Sequence, residues 1–252
     1  MSCRNFGMRF RGMLLLAVLT AASITYGAFG AEPEEPIKLP AWFWNQPDVQ
    51  DVQYAVGYAP LYARPLSSNR IANADAALRL WQDRSFRVYG GRGLSWEGSG
   101  LMSIGAFFRF EYDTTGLARF EDGLYQLDSA IVGDLAVVLV GTKEIRVDGT
   151  LLPSPTSEAI QTSKPSGSSG TAAAPLYARS VSSWLDAERS ARIELALSVR
   201  QQIRGETAQQ PGHSLYGVLL ETDVILKDVR TIRRAWDQRQ GVIWVIVAQK
   251  GC

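Results

Sequence analysis

A six-residue motif that occurs twice is the feature that most constrains the fold of this chain. The motif Ala-Pro-Leu-Tyr-Ala-Arg spans residues 59–64 and recurs 115 residues further on, at 174–179. A match that continues at one offset without a gap indicates an internal duplication, so we expect two related units. The identities beyond the motif pair Ser67 with Ser182, Ser68 with Ser183, Ala72 with Ala187, Ala76 with Ala191 and Leu80 with Leu195.

The segment after each motif predicts a helix. The serine pair is an N-cap signal, because its hydroxyls can accept the free amides of a first turn. Gly205 is expected as the C-cap of the second helix, and Glu188 and Arg192 form an i,i+4 ion pair off the buried face. That face is predicted from apolar residues at three- and four-residue steps, namely Trp184, Ala187, Ala191, Leu195, Val199 and Ile203.

Strand-like segments surround both predicted helices. Gln53–Tyr58 is a predicted strand before the first helix, whereas the aligned segment Ser168–Ala173 reads as linker. The second unit would therefore lack its own leading strand and borrow one, with Glu144–Val147 as a candidate. The predicted fold is α+β, with two related units that each pack a helix on a small antiparallel sheet of β-α-β-β type. The remaining predicted strands are Leu101–Tyr112, Gly123–Val132, Leu135–Thr142, Ser214–Leu220, Val224–Trp236 and Val242–Ala248.

The N-terminus predicts export. Residues 1–12 carry three arginines and no acidic residue, and an apolar run of about 14 residues follows, against the ~20 that a spanning helix needs. Ala28 and Gly30 supply small residues for cleavage after Gly30, and no cysteine stands at a lipoprotein cleavage site. An uncleaved anchor is the alternative. The predicted organisation is a signal peptide (1–30), a Pro/Glu-rich spacer (31–40), a first unit (41–150), a Ser/Pro/Gly-rich linker (151–174) and a second unit (175–252).

Composition excludes several classes of protein. Hydrophobic residues make up 46% of the chain and charged residues 20%, which is enough apolar material for a core. The net charge of +1 argues against a nucleic-acid partner, which needs a basic face. Two cysteines, Cys3 and Cys252, build no disulfide framework, and a single histidine rules out a multi-histidine metal site. We expect no metal and no cofactor.

Four segments resemble the family named after a twenty-kilodalton bacterial surface lipoprotein (Lpp-twenty). Pro-Ala-Trp at 40–42 and Tyr-Ala-Val-Gly-Tyr-Ala at 54–59 precede an alanine-stepped helix, as in that family. The helix recurs more strongly at 187–196, and Gly-Val-Ile-Trp-Val-Ile-Val at 241–247 is similar to the final strand of the family. The N-terminal domain of flagellar assembly protein T has a similar order of elements.

The resemblance covers about 41–90 and 180–249, and its motifs are alanine spacing and strand patterns. It implies an exported α+β protein in the periplasm or at the outer membrane that contacts other envelope proteins and has no shared catalytic residues. The chain departs from the family because it has no lipoprotein cleavage site, which puts attachment to a membrane in doubt.

Three features of the sequence are candidates for a catalytic role. His213 lies in a turn-rich segment with no recognisable nucleophile and orienting carboxylate, so a solvated histidine is favoured. The glycines at 90–93 and 98–100 follow a helix and precede a strand, the reverse of a phosphate-binding loop, and predict a flexible connector. Carboxylates that could serve a glycosidase are equally explained as solvent-facing strand residues: Glu97, Glu111, Asp113, Glu121, Asp122, Glu221 and Asp223.

Two groups of residues are candidate binding sites. Trp42 and Trp44, at i and i+2 of an extended segment, would point to one side and form an aromatic platform for a glycan or a protein, although such residues more often pack in a core. A basic run could meet acidic partners or lipid head groups, with a solvated face as the default. This run consists of Arg230, Arg233, Arg234 and Arg239.

The expected function is that of an exported, non-enzymatic cell-envelope protein that acts through contacts with other envelope proteins, in a flagellar or outer-membrane-associated role. We expect no nucleic-acid partner and no membrane span after signal cleavage. A module that binds peptidoglycan or another envelope glycan is the first alternative, and a periplasmic hydrolase is the second.

Overall fold

Two copies of one β-α-β-β motif form the centre of the fold. A computed structural model describes residues 36–62, 64–97, 100–162, 168–177, 179–210 and 213–249, which all belong to one compact unit. The predicted signal peptide lies outside the described residues. Within the part of the chain that is described, no helix combines the length and the apolar character needed to cross a membrane.

The first motif packs one helix on a three-stranded antiparallel sheet. Strand β2 (Tyr54–Pro60) precedes helix α2 (Pro65–Arg84), and strands β5 (Tyr125–Val132) and β6 (Leu135–Gly141) follow later in the chain. The sheet order is β2-β6-β5, with β6 in the centre and fully buried. A strand that is buried on both faces must be apolar throughout, which explains the run Leu-Ala-Val-Val-Leu-Val.

The second motif repeats this arrangement. Strand β8 (Ser169–Pro175) precedes helix α5 (Ser180–Val199), and strands β11 (Val229–Asp237) and β12 (Val242–Gln249) complete a sheet of order β8-β12-β11. Helices packed on small antiparallel sheets confirm the predicted α+β fold class.

The prediction that the second motif lacks a leading strand is wrong. Strand β8 occupies the segment read as linker, and residues 144–147 contain no strand. The small residues of β8 are required by the closeness of α5, because a Cβ atom on Gly170 would lie 2.0 Å from the Ala191 carbonyl oxygen. Gly57 has the same role in β2, where a Cβ would lie 1.8 Å from the Ala72 carbonyl oxygen. In β8 small residues also occupy most other positions, so this strand has the composition of a linker.

A third sheet combines strands from both halves of the chain. Strands β3 (Ser85–Glu97) and β4 (Gly100–Glu111) form a hairpin, as do β9 (Gln202–Gln210) and β10 (His213–Lys227). The order is β4-β3-β10-β9, so β3 and β10 join the two halves. The glycines at 90–93 lie within β3 and are not the predicted flexible connector, whereas residues 98–99 of that prediction lie outside the described residues.

Short elements complete the fold. Strand β1 (Lys38–Pro40), from the end of the predicted spacer, pairs with β7 (Leu151–Pro153), from the predicted linker. Among the described residues, α1 (Ala41–Trp44) precedes β2, α3 (Leu117–Glu121) lies within the first motif between β4 and β5, and α4 (Ser157–Gln161) lies between the two motifs. The predicted linker therefore contains a strand, a helix and most of β8.

The residues that cap the helices differ from those predicted. Helix α2 begins at Pro65, whose missing amide suits a first turn, and its N-cap residue is Arg64. Ser68 lies inside the first turn, and its Oγ accepts the Tyr62 amide at 2.8 Å; Ser183 accepts the Tyr177 amide at 2.8 Å in the second motif. The serines thus fix the incoming chain and are not N-caps. The predicted C-cap, Gly205, lies in β9, because α5 ends at Val199.

One hydrophobic core spans both motifs. It contains Tyr58 and Leu139 of the first motif together with Trp184, Leu195 and Val245 of the second. The predicted face of the second helix is wrong at its end, because Val199 is 40% exposed and Ile203 lies in β9. The predicted helix faces are confirmed at the six aligned positions, all at most 3% exposed: Ala72, Ala76, Leu80, Ala187, Ala191 and Leu195.

Candidate functional site

A buried carboxylate, Glu188 of α5, is the centre of a polar cluster between the two motifs. Glu188 is only 1% exposed. Oε1 accepts hydrogen bonds from the Tyr58 hydroxyl at 2.6 Å and from Nη2 of Arg234 at 3.1 Å. Oε2 accepts from Nη1 of Arg79 and, at 3.4 Å, from Nη1 of Arg192. Both oxygens are therefore bonded to charged or hydroxyl donors.

Two further carboxylates surround this centre. Asp75 Oδ2 accepts from Nε of Arg79 at 2.6 Å and from the Tyr58 amide at 2.9 Å. Asp83 Oδ1 accepts from Nη2 of Arg192 at 2.7 Å. Three guanidinium groups thus face three carboxylates, and the buried charges cancel. We call this set the Glu188 cluster: Tyr58, Asp75, Arg79, Asp83, Glu188, Arg192 and Arg234.

Helical spacing assembles the cluster. Asp75, Arg79 and Asp83 follow one another at four-residue steps and so lie on one face of α2. Glu188 and Arg192 have the same spacing on α5. The two helices meet through these long side chains, and the cluster therefore fastens the first motif to the second. The prediction that Glu188 and Arg192 lie off the buried face is wrong, because both are buried.

Burial and neighbouring charges shift the pKa values of the carboxylates in opposite directions. Burial alone would raise the pKa of Glu188, but Arg79, Arg234 and Arg192 outweigh it and lower the pKa to about 2. For Asp83, burial raises the pKa despite its partner Arg192. Burial also raises the pKa of the Tyr58 phenol. Glu188 is accordingly ionised at neutral pH, and its arrangement suits a structural anion rather than a general acid.

Aromatic rings surround the charged groups. The Arg234 guanidinium lies 5.3 Å from the centre of the Phe43 ring, and its Nη1 donates to the Phe43 carbonyl at 3.2 Å. The Arg79 guanidinium lies 4.7 Å from the Tyr58 ring. Trp184 stacks on Tyr58 and contacts Phe43 edge-on, with ring centres 6.2 and 5.0 Å apart. These contacts add cation–π attraction to the ion pairs.

The two predicted tryptophans belong to the core. Trp42 and Trp44 are 2% and 1% exposed and lie on helix α1, not on an extended segment. Their indole N–H groups donate to Asp128 Oδ2 at 2.7 Å and to the Leu152 carbonyl at 2.8 Å. The prediction that these residues form an exposed aromatic platform is therefore wrong, because both rings are buried.

The predicted basic run is divided between surface and interior. Arg230 pairs with Asp48 at 2.8 Å, and Arg233 is exposed beside Asn45. Arg234, by contrast, is 1% exposed and belongs to the Glu188 cluster. The run is therefore not a single cationic surface. Strict alternation would place Arg230 and Arg234 on one face of β11, but the bulge between Thr231 and Arg233 shifts the register and turns Arg234 inward.

Two of the carboxylates weighed for hydrolysis, Glu111 and Asp223, are joined by one arginine. Arg87 lies between two of them, bonded to Asp223 at 2.7 and 2.8 Å and to Glu111 at 3.4 Å. Asp113 accepts the Thr115 amide at 2.8 Å. Glu121 and Asp122 are exposed near α3, Glu97 and Glu221 lie in strands β3 and β10, and His213 is the first residue of β10.

A groove of about 670 Å3 lies beside the Glu188 cluster, between the two helices and strand β4. Leu78 of α2, Leu185 of α5 and the aromatic residues Phe108 and Phe110 of β4 contribute its apolar lining. Arg189 of α5 reaches over it, with Nη2 donating to the Phe108 carbonyl at 3.1 Å and the guanidinium 5.6 Å from the Phe110 ring. The lining also includes charged residues of the Glu188 cluster, among them Asp75, Arg79 and Arg192, so the groove offers both apolar and charged contacts.

Sequence reasoning missed both the cluster and the groove. The four-residue spacing of opposite charges on the two helices is the available signal for the cluster. On α5 this spacing predicts only an ion pair off the buried face, and the same spacing on α2 enters none of the predictions. The groove left no local signal because it forms where distant elements meet. Among the described residues, no group of three histidine, cysteine or acidic side chains could hold a metal ion.

No protein-family model, curated protein or solved structure matches the chain. The functional conclusion therefore depends on the geometry of the Glu188 cluster and the groove, together with the sequence.

Proposed function

We propose that this chain is an exported, non-enzymatic cell-envelope protein that acts through contacts with other proteins. The observation that carries the proposal is the groove beside β4. Strand β4 is an end strand of its sheet, and the apolar lining of the groove is partly exposed. An end strand offers backbone donors and acceptors to a partner, and apolar lining offers contact area. The ionised groups of the Glu188 cluster are bonded to one another, so they are not the groups that the proposal offers to a partner.

The compartment is supported by the sequence. The basic head and short apolar run of residues 1–30 have the layout of a signal peptide, and cleavage after Gly30 fits best. The resemblance to the Lpp-twenty family supports the periplasm or the outer membrane as the location. Contacts with envelope proteins or with a flagellar structure are the functions that this location favours.

The two alternatives receive less support. A glycan-binding module depended on Trp42 and Trp44, and both are buried. A hydrolase depended on facing carboxylates, and Glu111 and Asp223 instead share Arg87. Sedimentation of the protein with isolated peptidoglycan sacculi would still favour the glycan alternative.

The compartment is tested by fractionation of cells that carry the native protein, with mass spectrometry of its N-terminus. We expect a chain that begins at Ala31 and is found in the periplasmic or outer-membrane fraction. An intact Met1 in the inner membrane would refute export.

The protein contact is tested by a photo-crosslinking residue at Leu185, which lines the groove and is 38% exposed. We expect adducts with an envelope protein when cells are irradiated. The matched control is the same residue at Leu66, which is 84% exposed at the start of α2 and does not line the groove. Adducts at Leu66 but none at Leu185 would contradict the proposal.

A further inference from the structure

The repeated motif Ala-Pro-Leu-Tyr-Ala-Arg exposes the same apolar side chains in both halves of the chain. Leu61 and Tyr62 are 42% and 45% exposed. Their counterparts, Leu176 and Tyr177, are 40% and 44% exposed. The alanines that repeat in the two helices are buried, so packing accounts for them. Packing does not account for a leucine and a tyrosine that keep both their identity and their exposure in two copies.

Both copies of the motif lie at the same end of the molecule. Arg79 of α2 is bonded to Glu188 of α5, 109 positions further along the chain. Asp83 is bonded to Arg192 at the same separation of 109 positions. A constant separation means that the two helices run in the same direction. Each copy of the motif leads directly into its helix, so both copies lie where the helices begin.

Asp134, in the turn between β5 and β6, joins the two copies. Its backbone carbonyl accepts the Leu61 amide at 2.8 Å. Its carboxylate accepts the Ser180 hydroxyl at 2.7 Å and the Ser180 amide at 3.3 Å, and Ser180 directly follows the second copy. The exposed side chains of the two copies therefore belong to one surface. We call it the motif surface: Leu61, Tyr62, Arg64, Leu176, Tyr177 and Arg179.

Positive charge accompanies the apolar side chains of the motif surface. Arg64 and Arg179 are exposed, and neither forms an ion pair with another described residue. Arg239 is exposed in the turn between β11 and β12, and the Gly241 carbonyl of this turn accepts the Leu176 amide at 2.7 Å. Neither α2 nor α5 has an acidic residue in its first turn, so the positive ends of both helices add to this charge.

We propose that the motif surface docks the protein on a membrane that contains anionic phospholipid. The leucines enter the acyl region, the tyrosines lie at the level of the head groups, and the arginines bind lipid phosphate. Tyrosine and arginine combine an apolar body with a polar end, which suits the boundary between lipid and water. Two copies that bind the same membrane together bind more tightly than either copy alone.

The position of these side chains favours a bilayer over an acidic protein as the partner. Side chains that dominate protein interfaces usually pair with pockets on the partner. The apolar side chains of the motif surface stand on two separate loops, and none of them lines the groove beside β4. A protein would need two matching pockets for them, whereas a bilayer accepts them without a matching shape.

Membrane docking goes beyond the proposed function, which assigns the groove to an envelope protein. The groove and the motif surface share no residue, so both can be occupied at once. The motif surface would hold at the membrane a chain that has no lipoprotein cleavage site.

Flotation with lipid vesicles tests the docking. The purified protein is mixed with vesicles of about one-third phosphatidylglycerol in phosphatidylcholine, or with vesicles of phosphatidylcholine alone. We expect binding to the anionic vesicles and weaker binding to the neutral ones. Arg64→Gln and Arg179→Gln should each weaken binding to the anionic vesicles about fivefold, because each removes one arginine from an anionic surface. The double variant Leu61→Ser and Leu176→Ser should weaken it about tenfold, because two half-exposed leucines no longer enter the acyl region.

Matched controls lie elsewhere on the surface. Arg119→Gln removes an exposed arginine of α3, where Phe120 contacts Trp81 near the other end of α2 with ring centres 5.1 Å apart. Ile225→Ser removes an apolar side chain that is 61% exposed on β10. Both variants should bind like the wild type. All variants have the same N-terminus as the wild type, so any contribution of residues 1–30 is equal in each comparison, and urea denaturation shows that each variant is folded.

Two results would overturn the inference: a wild type that does not bind the anionic vesicles, and motif-surface variants that bind like the wild type. A photo-crosslinking residue at Tyr62 separates the two classes of partner in cells. We expect lipid adducts there, and protein adducts without lipid adducts would assign the surface to an acidic protein and overturn the docking. Adducts at Leu185 test the proposed function separately. Their absence beside normal vesicle binding would contradict the protein contact and leave the docking standing.

Discussion

The replacement Glu188→Gln is expected to destabilise the protein by about 3 kcal/mol at pH 7. Glutamine keeps the size of the side chain but leaves three buried guanidinium groups facing two carboxylates. Removal of one partner from a buried ion pair typically costs about 3–5 kcal/mol. The pKa of Glu188 gives a similar figure, because a decrease from its ordinary 4.5 to about 2 corresponds to about 3 kcal/mol.

The same substitution predicts a pH dependence. The folded pKa of Glu188 is below the unfolded value, so the stability that its charge contributes is fully present above pH 4.5 and is lost as the pH falls to about 2. Glutamine does not titrate, so the difference between wild type and variant should shrink over this range. Asp83 acts in the opposite direction, since burial raises its pKa and its protonation favours the folded state, but both proteins contain it.

Urea denaturation at pH 7, 5 and 3 measures this difference in the free energy of unfolding. Glu194→Gln is the matched control on the same helix. Glu194 pairs with Arg92 at 2.7 Å, but the two side chains are 37% and 34% exposed, so its loss should cost less than about 1 kcal/mol. A Glu188→Gln variant within 1 kcal/mol of the wild type at pH 7, or a difference that is the same at pH 7 and pH 3, would refute the reasoning.

Four further substitutions test the packing. Gly57→Ala places a Cβ 1.8 Å from a carbonyl oxygen of α2 and should cost about 3 kcal/mol in urea denaturation, whereas Gly123→Ala, whose nearest contact is 3.6 Å away, should be near neutral. Trp44→Ala should cost about 3–5 kcal/mol in the same assay without changing sedimentation with sacculi, because the ring is buried. Ser68→Ala and Ser183→Ala should each cost about 1 kcal/mol and agree within a few tenths, because they remove equivalent hydrogen bonds; a loss at one site alone would contradict the equivalent role of the two serines.

The helices and most strands of the two motifs were predictable from the sequence. Alanines at 72, 76, 187 and 191 recur at helical spacing and are buried, because apolar periodicity reflects the face that packs on the sheet. The strand Leu135–Gly141 was predictable for a similar reason, since it is apolar at every position. These signals are local, so a single chain segment contains all the information.

Strand β8 and the Glu188 cluster were not predictable from local signals. The sequence Ser-Gly-Thr-Ala-Ala-Ala of β8 has few side chains that favour a strand, and its conformation is imposed by α5 above it and β12 beside it. Charged residues on a helix are usually solvated, so Glu188 and Asp83 gave no sign of burial. Their burial depends on arginines supplied by the other motif, 109 residues away along the chain.

The cluster explains why the two motifs form one unit although their folds repeat. At the duplication offset, Glu188 corresponds to Asn73 and Arg79 corresponds to Glu194, so the ion pair that joins the helices is not itself repeated. Glu194 instead pairs with Arg92 of β3, in the sheet that combines strands from both halves of the chain. The repeated residues are those that pack each helix on its own sheet, and the residues that differ bind one motif to the other. The first motif contributes two carboxylates and one guanidinium group to the cluster, and the second contributes one carboxylate and two guanidinium groups. Each motif alone would therefore leave one charge of the cluster unbalanced, which the other motif neutralises.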